Sequence, residues 1–414
     1  MSSNPKIRFG EFNGAWKQAT LREISDKVMD KNSDFSVREV FTNSAEHGVM
    51  SQKDFFNHAI VNEKNINGYY VVCPNDFVYN PRMSVTAPVG PINRNALGRT
   101  GIMSPLYYIF RTHDIDVEYL DYFFKTRIWH HFMWNNGDNG ARGDRFSIKN
   151  EVFQEMPIPY PSTPEEQHKI AQFFTGIDSL IAAEGKKLVK LKNIKNASLE
   201  KMFPRNGETT PQVRFKGFTG KWELRPLHDY LDVYVEKNMD KKYSKEDIFS
   251  VSNECGVVNQ IKYQGKSLAG VSLKGYKITH KNSVIYTKSP LKKQPYGIIK
   301  TNKDCSGIVS ALYAVYTAKE NVIADFIQVY FSSDNRLNDF LRSIVNKGAK
   351  NTLLVSDEGA LSGIVCFPSD IKEQTYIADF FARLDTLISA QEQKVFKLRC
   401  LKKSFLEKMF VTTK

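Results

Sequence analysis

Cysteine is scarce and scattered. The five, Cys73, Cys255, Cys305, Cys366 and Cys400, are odd in number and none sits in a CxxC spacing. That argues against a disulfide framework or a zinc knuckle and for reduced thiols in a cytoplasmic protein. No run of about 18 apolar residues occurs, so no membrane-spanning helix is expected. The first stretch carries Lys6, Arg8, Glu11 and Lys17 without an apolar block, so no secretory leader is expected. The eight histidines lack metal-ligand spacing. Even His130 and His131, being neighbours, would point different ways on a helix. No glycine-rich turn between a strand and a helix offers a cradle for a nucleotide cofactor.

What is present is positive charge. The 414 residues carry 58 Lys and Arg against 45 Asp and Glu, a formal net charge of +13. Such an excess favours a polyanionic partner, nucleic acid first and an acidic membrane surface second. An apolar fraction of 41% supports globular cores. The length suits two domains of about 150–200 residues each.

The chain is also written twice. LEKMF stands at Leu199–Phe203 and again at Leu406–Phe410, 207 residues on. It closes a longer match: residues 163–203 align with 370–410 without a gap, identical at 19 of 41 positions. A shared helical period would explain matching apolar residues. It does not explain Glu166/Glu373, Gln167/Gln374, Asp178/Asp385 or Lys201/Lys408; duplication does. Upstream, PKIRFGEFNGAW (5–16) pairs with PQVRFKGFTGKW (211–222), Gly68-Tyr69 with Gly275-Tyr276, and GIMSPLY (101–107) with GIVSALY (307–313). Between these anchors the copies diverge. The period is that of a domain, not of a solenoid. The boundaries read as 1–160 and 204–367 for two globular domains, each followed by a helical spacer, 161–203 and 368–414.

Each repeated segment reads as a long helix. Thr163-Pro-Glu-Glu166 has the form of a capping box, and Asp370-Ile-Lys-Glu373 stands in the same places. Apolar residues then recur at three- and four-residue steps: Ile177, Ile181, Leu188, Leu191 and Met202 in the first copy, Leu384, Ile388, Val395, Leu398, Phe405 and Met409 in the second. Polar Glu184 and Gln391 interrupt the stripe. Heptad-like spacing with Lys and Glu on the other faces predicts a coiled coil; a helix packed on its own domain is the alternative. Two matched helices in one chain can pair antiparallel about a pseudo-two-fold axis. The expected fold class is therefore mixed α/β (α+β): two similar globular domains joined by two long helices in an antiparallel coiled coil. From Ile177 to Phe203 such a rod would run roughly 40 Å, about one turn of DNA or slightly more.

The globular parts mix strand-like runs with helix-like ones, the latter at 117–134 and its counterpart 323–344, each followed by a basic, glycine-bearing loop. Base reading needs forked donors or amides, whereas phosphate contact needs only a cation or hydroxyl. The candidate DNA contacts in the first copy are Arg82, Arg94, Arg99, Arg142 and Arg145. In the second they are Lys288, Lys292, Lys293, Lys347 and Lys350. For each the plainer reading is a solvated surface cation; Arg142 and Lys350, on paired loops beside the hinge into the spacer, stand out as the stronger candidates. The helix lysines Lys186, Lys187, Lys190, Lys394, Lys397 and Lys402 either solvate the coil or meet phosphate or an acidic partner. Tyr107 and Tyr313 read as core.

The ordered set of duplicated PxxRFxxFxGxW openings, EQxxIAxFFxxxD helix starts and LEKMF ends, with divergent sequence between, resembles the specificity (S) subunit of type I restriction–modification systems. The resemblance covers essentially the whole chain. It implies two target-recognition domains, each reading one half of a bipartite site in double-stranded DNA. It implies helical spacers that set the spacing and dock two modification subunits, which methylate adenine at N6, and that two restriction subunits can join. It implies a non-catalytic chain that binds no cofactor itself. S-adenosylmethionine, and ATP with Mg for restriction, belong to the partners.

Enzymatic readings fare poorly on the residues. Asn80-Pro-Arg82-Met83 lacks the second proline and the aromatic of the adenine-methyltransferase motif. Asp178, Glu184 and Lys186 have the order of a nuclease centre, but the second copy places Gln391 and Gln393 where Glu184 and Lys186 stand. A coiled-coil scaffold that binds proteins without reading DNA sequence is the competing function class.

Overall fold

The computed structural model describes residues 4–56, 66–140, 143–267, 269–270, 272–348 and 353–411. The chain divides into two compact units, Met1–Gly185 with Gln393–Lys414, and Lys186–Glu392. The fold is mixed α/β, as the sequence predicts, and the two units repeat one plan.

In the first unit a four-stranded antiparallel sheet runs in the order Ser25–Lys27, Tyr108–Thr112, Phe77–Tyr79, Ile92–Arg94. The second repeats it with Leu231–Val233, Ala314–Ala318, Val284–Tyr286, Ile299–Thr301. A strand pair, Tyr70–Val72 with Gly101–Met103, has its copy in Lys277–Thr279 with Gly307–Val309. The inner strands Phe77–Tyr79 and Val284–Tyr286 are buried on both faces, which is why they read as continuous apolar runs rather than alternating ones. Each is entered through an asparagine at positive φ, Asn75 at 71° and Asn282 at 70°, a conformation asparagine tolerates. The glycine of the shared GI[MV]S motif has a packing reason: a Cβ on Gly101 would run into the Phe41 ring, and one on Gly307 into Phe249.

The helix expected over 117–134 is two helices, Val117–Phe124 and Ile128–Asn136. Thr126 breaks it. Its hydroxyl donates to the Phe123 carbonyl at 2.7 Å and accepts from the Ile128 amide at 3.2 Å, local bonds that compete with the helical ladder. The counterpart also splits, into Ala324–Tyr330 and Asp334–Arg342, with Ser333 capping the second piece through the Arg336 amide.

The two long helices run Pro164–Lys201 and Ile371–Lys408. Inside each unit a stretch of one lies antiparallel to a stretch of the other. The first unit joins Asp178 to Lys402 (2.5 Å) and Glu184 to Lys394 (3.0 Å); the second joins Lys192 to Glu392 (2.6 Å) and Lys195 to Asp385 (2.5 Å). The eleven stripe residues are buried (Met202, Leu384, Val395, Met409) or half-buried (Ile177, Ile181, Leu188, Leu191, Ile388, Leu398, Phe405). Glu184, polar at a seam position, is 3% exposed and is matched by Lys394.

The helix ends do more than pair. Met202 and Phe203 sit in the second unit's core, where the Phe203 ring lies 5.9 Å from both Trp222 and Phe326. Met409 and Phe410 sit in the first unit's core, with Phe410 5.3 Å from Tyr119 and 6.5 Å from Trp16. Each LEKMF is thus the aromatic plug of a globular core as well as the end of a long helix.

Candidate nucleic-acid interface

The frame that carries the basic residues is locked by a pair of ion bridges. Arg8, from the opening motif, forks onto Glu166 with both bonds at 2.7 Å, and Glu166 is 1% exposed. Arg214 forks onto Glu373 at 2.6 and 2.7 Å, and Glu373 is likewise 1% exposed. The carboxylates expected to close capping boxes are therefore held by arginines some 160 residues away in sequence, and Trp16 adds its indole N–H to Glu166 at 3.4 Å. Next along, Gln167 accepts from the Asp116 amide and donates to the Pro161 carbonyl. Gln374 accepts from the Ile323 amide and donates to the Asn321 and Pro368 carbonyls. The Glu-Gln pair of each helix start thus pins that helix to its globular body.

On this frame the first unit brings Arg82 and Arg145 together. They form a backbone bridge and both are exposed. Flanking bonds join Met83 to Asp144 at 2.9 Å and Phe146 to Pro81 at 2.8 Å. Arg142 lies outside the described residues. Arg94 points elsewhere: it donates to Asn75 at 2.7 Å and sits within 3.8 Å of Glu118 and 3.7 Å of Asp121. Arg99 makes a two-bond fork with Glu39, 2.8 Å each. The positive charges of Arg94 and Arg99 thus already face carboxylates.

Beside Arg145 opens a cavity of about 370 Å³ whose walls include Lys27, Tyr70, Tyr107, Tyr108 and Phe146. Lys27 stands 5.4 Å above the Tyr108 ring. Burial pushes the Tyr108 hydroxyl up to about 12, so it stays a neutral hydrogen-bonding group. Tyr107, expected as core, is half-buried on this wall, with its hydroxyl 3.2 Å from that of Thr42.

In the second unit Lys288 is half-buried and donates to Asp357 at 2.5 Å and to the Val355 carbonyl at 3.0 Å. Lys277 closes on the other oxygen of the same carboxylate. Burial pushes the Asp357 carboxyl up, and the bonds from Lys277 and Lys288 outweigh it, leaving it below its ordinary value. Two ammonium groups thus share one carboxylate. Lys292 and Lys293 are exposed on the loop that follows. Lys347 lies in a short strand, Asn346–Lys347, and its side chain, like the whole of Lys350, is outside the described residues.

The sequence reading missed Lys27, Tyr70, Lys277 and Asp357. The signal was available in the alignment of the copies: Tyr70, Pro81 and Asn150 stand where Lys277, Lys288 and Asp357 stand, amid neighbours that match. It also missed a set of apolar side chains left exposed on the long helices, among them Val189 at 58%, Leu387 at 56% and Phe396 at 68%. Asn80, of the methyltransferase-like tetrapeptide, is a turn residue that donates to the Asn43 carbonyl and accepts from the Arg82 amide. Among the described residues no group of three or more His, Cys, Asp and Glu is placed to hold a metal, and no helix is long and apolar enough to cross a membrane.

Comparison with known proteins agrees with this architecture. Residues 50–193 match the family described as Type I restriction modification DNA specificity domain. No curated protein matches the sequence. Among solved structures, the S subunit of a type I restriction–modification system from M. genitalium matches with a TM-score of 0.59 at 12% identity, covering 99% of this chain and 100% of that one. A chain from a structure of type I R-M complex assembly and conformational transition matches with a TM-score of 0.53 at 12% identity, covering 96% and 98%. At that identity the likeness is one of fold, and it extends over the full length of both chains.

Proposed function

We propose that this chain is the DNA-specificity subunit of a type I restriction–modification complex, each unit reading one half of a bipartite site. The observation that carries the reading is a duplicated frame with unlike readers. The Arg–Glu forks, the Glu-Gln anchors and the LEKMF plugs are the same in both units, while the basic faces they present differ: an aromatic cavity beside Arg145 in one, a Lys–Asp–Lys knot in the other. A pure scaffold has no need to hold its frame constant and vary those faces. The specificity-domain match over residues 50–193 points the same way.

On this reading the paired helices set the distance between half-sites, and their exposed apolar residues, such as Phe396 and Val189, receive two modification subunits. Those partners bring S-adenosylmethionine and transfer its methyl group to adenine. Restriction subunits, with ATP and Mg, join for cleavage. This chain contributes no reacting group. It supplies sequence choice and position, through direct base contacts and phosphate contacts. Methylome sequencing of a host expressing the chain with its modification subunits tests the proposal. One bipartite adenine-methylation motif, two defined blocks around a fixed gap, is the expected result; methylation without a motif, or a motif with one block only, overturns it.

A further inference from the structure

The cavity beside Arg145 combines aromatic walls with positive charge. Tyr70, Tyr107, Tyr108 and Phe146 supply aromatic surface, Lys27 and Arg145 supply positive charge, and among the described residues no carboxylate lines it. Ser147 and Asn150 add short polar side chains. Aromatic faces stack on bases of any sequence, and cations beside them take the adjoining phosphates. Its volume of about 370 Å³ lies within the range of small-ligand sites.

The void is not imposed by the fold. The second unit carries Lys277, Lys288 and Asp357 at the positions of Tyr70, Pro81 and Asn150, and those three side chains close on one another. In one duplicate the side chains at these positions draw together on a shared carboxylate; in the other they line a cavity.

We propose that the cavity is a nucleobase site: the first unit takes one base of its half-site out of the stack and holds it against Tyr70 and Tyr107, with the flanking phosphates on Lys27 and Arg145. The inference rests on the DNA-reading function proposed above. Extruding a base costs pairing and stacking, and stacking on tyrosine recovers a comparable amount. The cost is least where the duplex step is easily unstacked.

The test uses the complex of this chain with its modification subunits and duplexes carrying the motif found by methylome sequencing. Each base of the first half-site is left in turn opposite an abasic position, which removes the pairing cost of that base alone. A base site predicts tighter binding, by about tenfold, at one position only. It predicts that closing the cavity with the second unit's chemistry, Tyr70→Lys with Asn150→Asp, abolishes the gain while both half-sites remain protected in a footprint. Ser147→Phe, an exposed wall position, should do the same without touching the core. If no abasic position tightens binding, or if the gain survives both closures, the site is disproved while bipartite reading stands. If the wild-type complex protects no bipartite sequence, the DNA-reading function falls and this inference falls with it.

Discussion

At the scale of single residues, the strongest statements concern charges that have left water. Glu166 is 1% exposed and is neutralised by the Arg8 fork. Arg8→Ala leaves a buried carboxylate without its counter-charge, and the expected cost is about 3 kcal/mol. The double variant Arg8→Met/Glu166→Leu removes the charge as well as the bridge and should recover most of that loss. Urea unfolding followed through Trp16, which touches Glu166, measures both; a double variant no better than the single would show that geometry, not uncompensated charge, sets the cost. His130 makes a second case. It is 6% exposed and its Nδ1 has no hydrogen-bond partner among the described residues. Burial, with Arg127 adding to it, brings its pKa down to about 4 from 6.5. The unfolded chain therefore takes up this proton near pH 6.5 while the folded one refuses it until about 4. The stability it contributes is complete above the unfolded value and is lost as pH falls through that window, by up to about 3 kcal/mol. His130→Leu should flatten that part of the stability–pH curve. An unchanged slope would assign the acid sensitivity to other groups. The second unit avoids the problem: 207 residues on, Leu337 stands in the place of His130 and is 3% exposed.

At the scale of elements, the long helices test phase against length. Their seam is a register of stripe residues and cross-helix ion pairs such as Lys192 with Glu392. Seven residues inserted after Gly185 and seven after Glu392 keep the stripe in phase, since seven residues are close to two turns. Four residues inserted in one helix turn its stripe away from the partner. On the proposed function, the paired insertion lengthens each helix by about 10 Å and should widen the gap in the methylation motif by about 3 base pairs, leaving both blocks unchanged. The single four-residue insertion should lower stability and yield no clean motif. A paired insertion that alters the blocks would disprove the spacer role. These helices were legible in the sequence because apolar periodicity is a local signal and the duplication doubled it. The uses of their ends were not. Glu166 looks like a capping residue until Arg8 arrives from the opening motif, and Phe203 looks like a seam end until Trp222 and Phe326 close around it. Both depend on partners that only the folded chain brings near. The break at Thr126 was missed for the opposite reason: it is local, but one hydroxyl is a weak signal inside a long apolar run.

At the scale of the whole molecule, duplication with divergence predicts that damage stays on its own side. Arg145 is exposed beside the first unit's cavity, and Lys292 is exposed on the loop that follows the second unit's Lys288–Asp357 pair. The sequence could nominate both as cations, but it could not separate them from Arg94 and Arg99, whose carboxylate partners Glu118, Asp121 and Glu39 are set by strand and helix packing. A cation already held by a carboxylate gives up that pairing before it can gain a phosphate, so Arg99→Ala should change DNA binding less than Arg145→Ala. Removing a base-reading side chain costs about 1–3 kcal/mol at one position, a loss of roughly tenfold or more. Removing a phosphate contact weakens all sequences alike and lowers the salt dependence. Arg145→Ala should therefore relax or weaken the first half-site and leave selectivity at the second intact, and Lys292→Ala the reverse. Binding of each complex to duplexes mutated in one block at a time, at fixed salt, gives both numbers. If either substitution degraded selectivity in both blocks together, the two units would not be independent readers, and the unlike faces on a common frame would need another explanation.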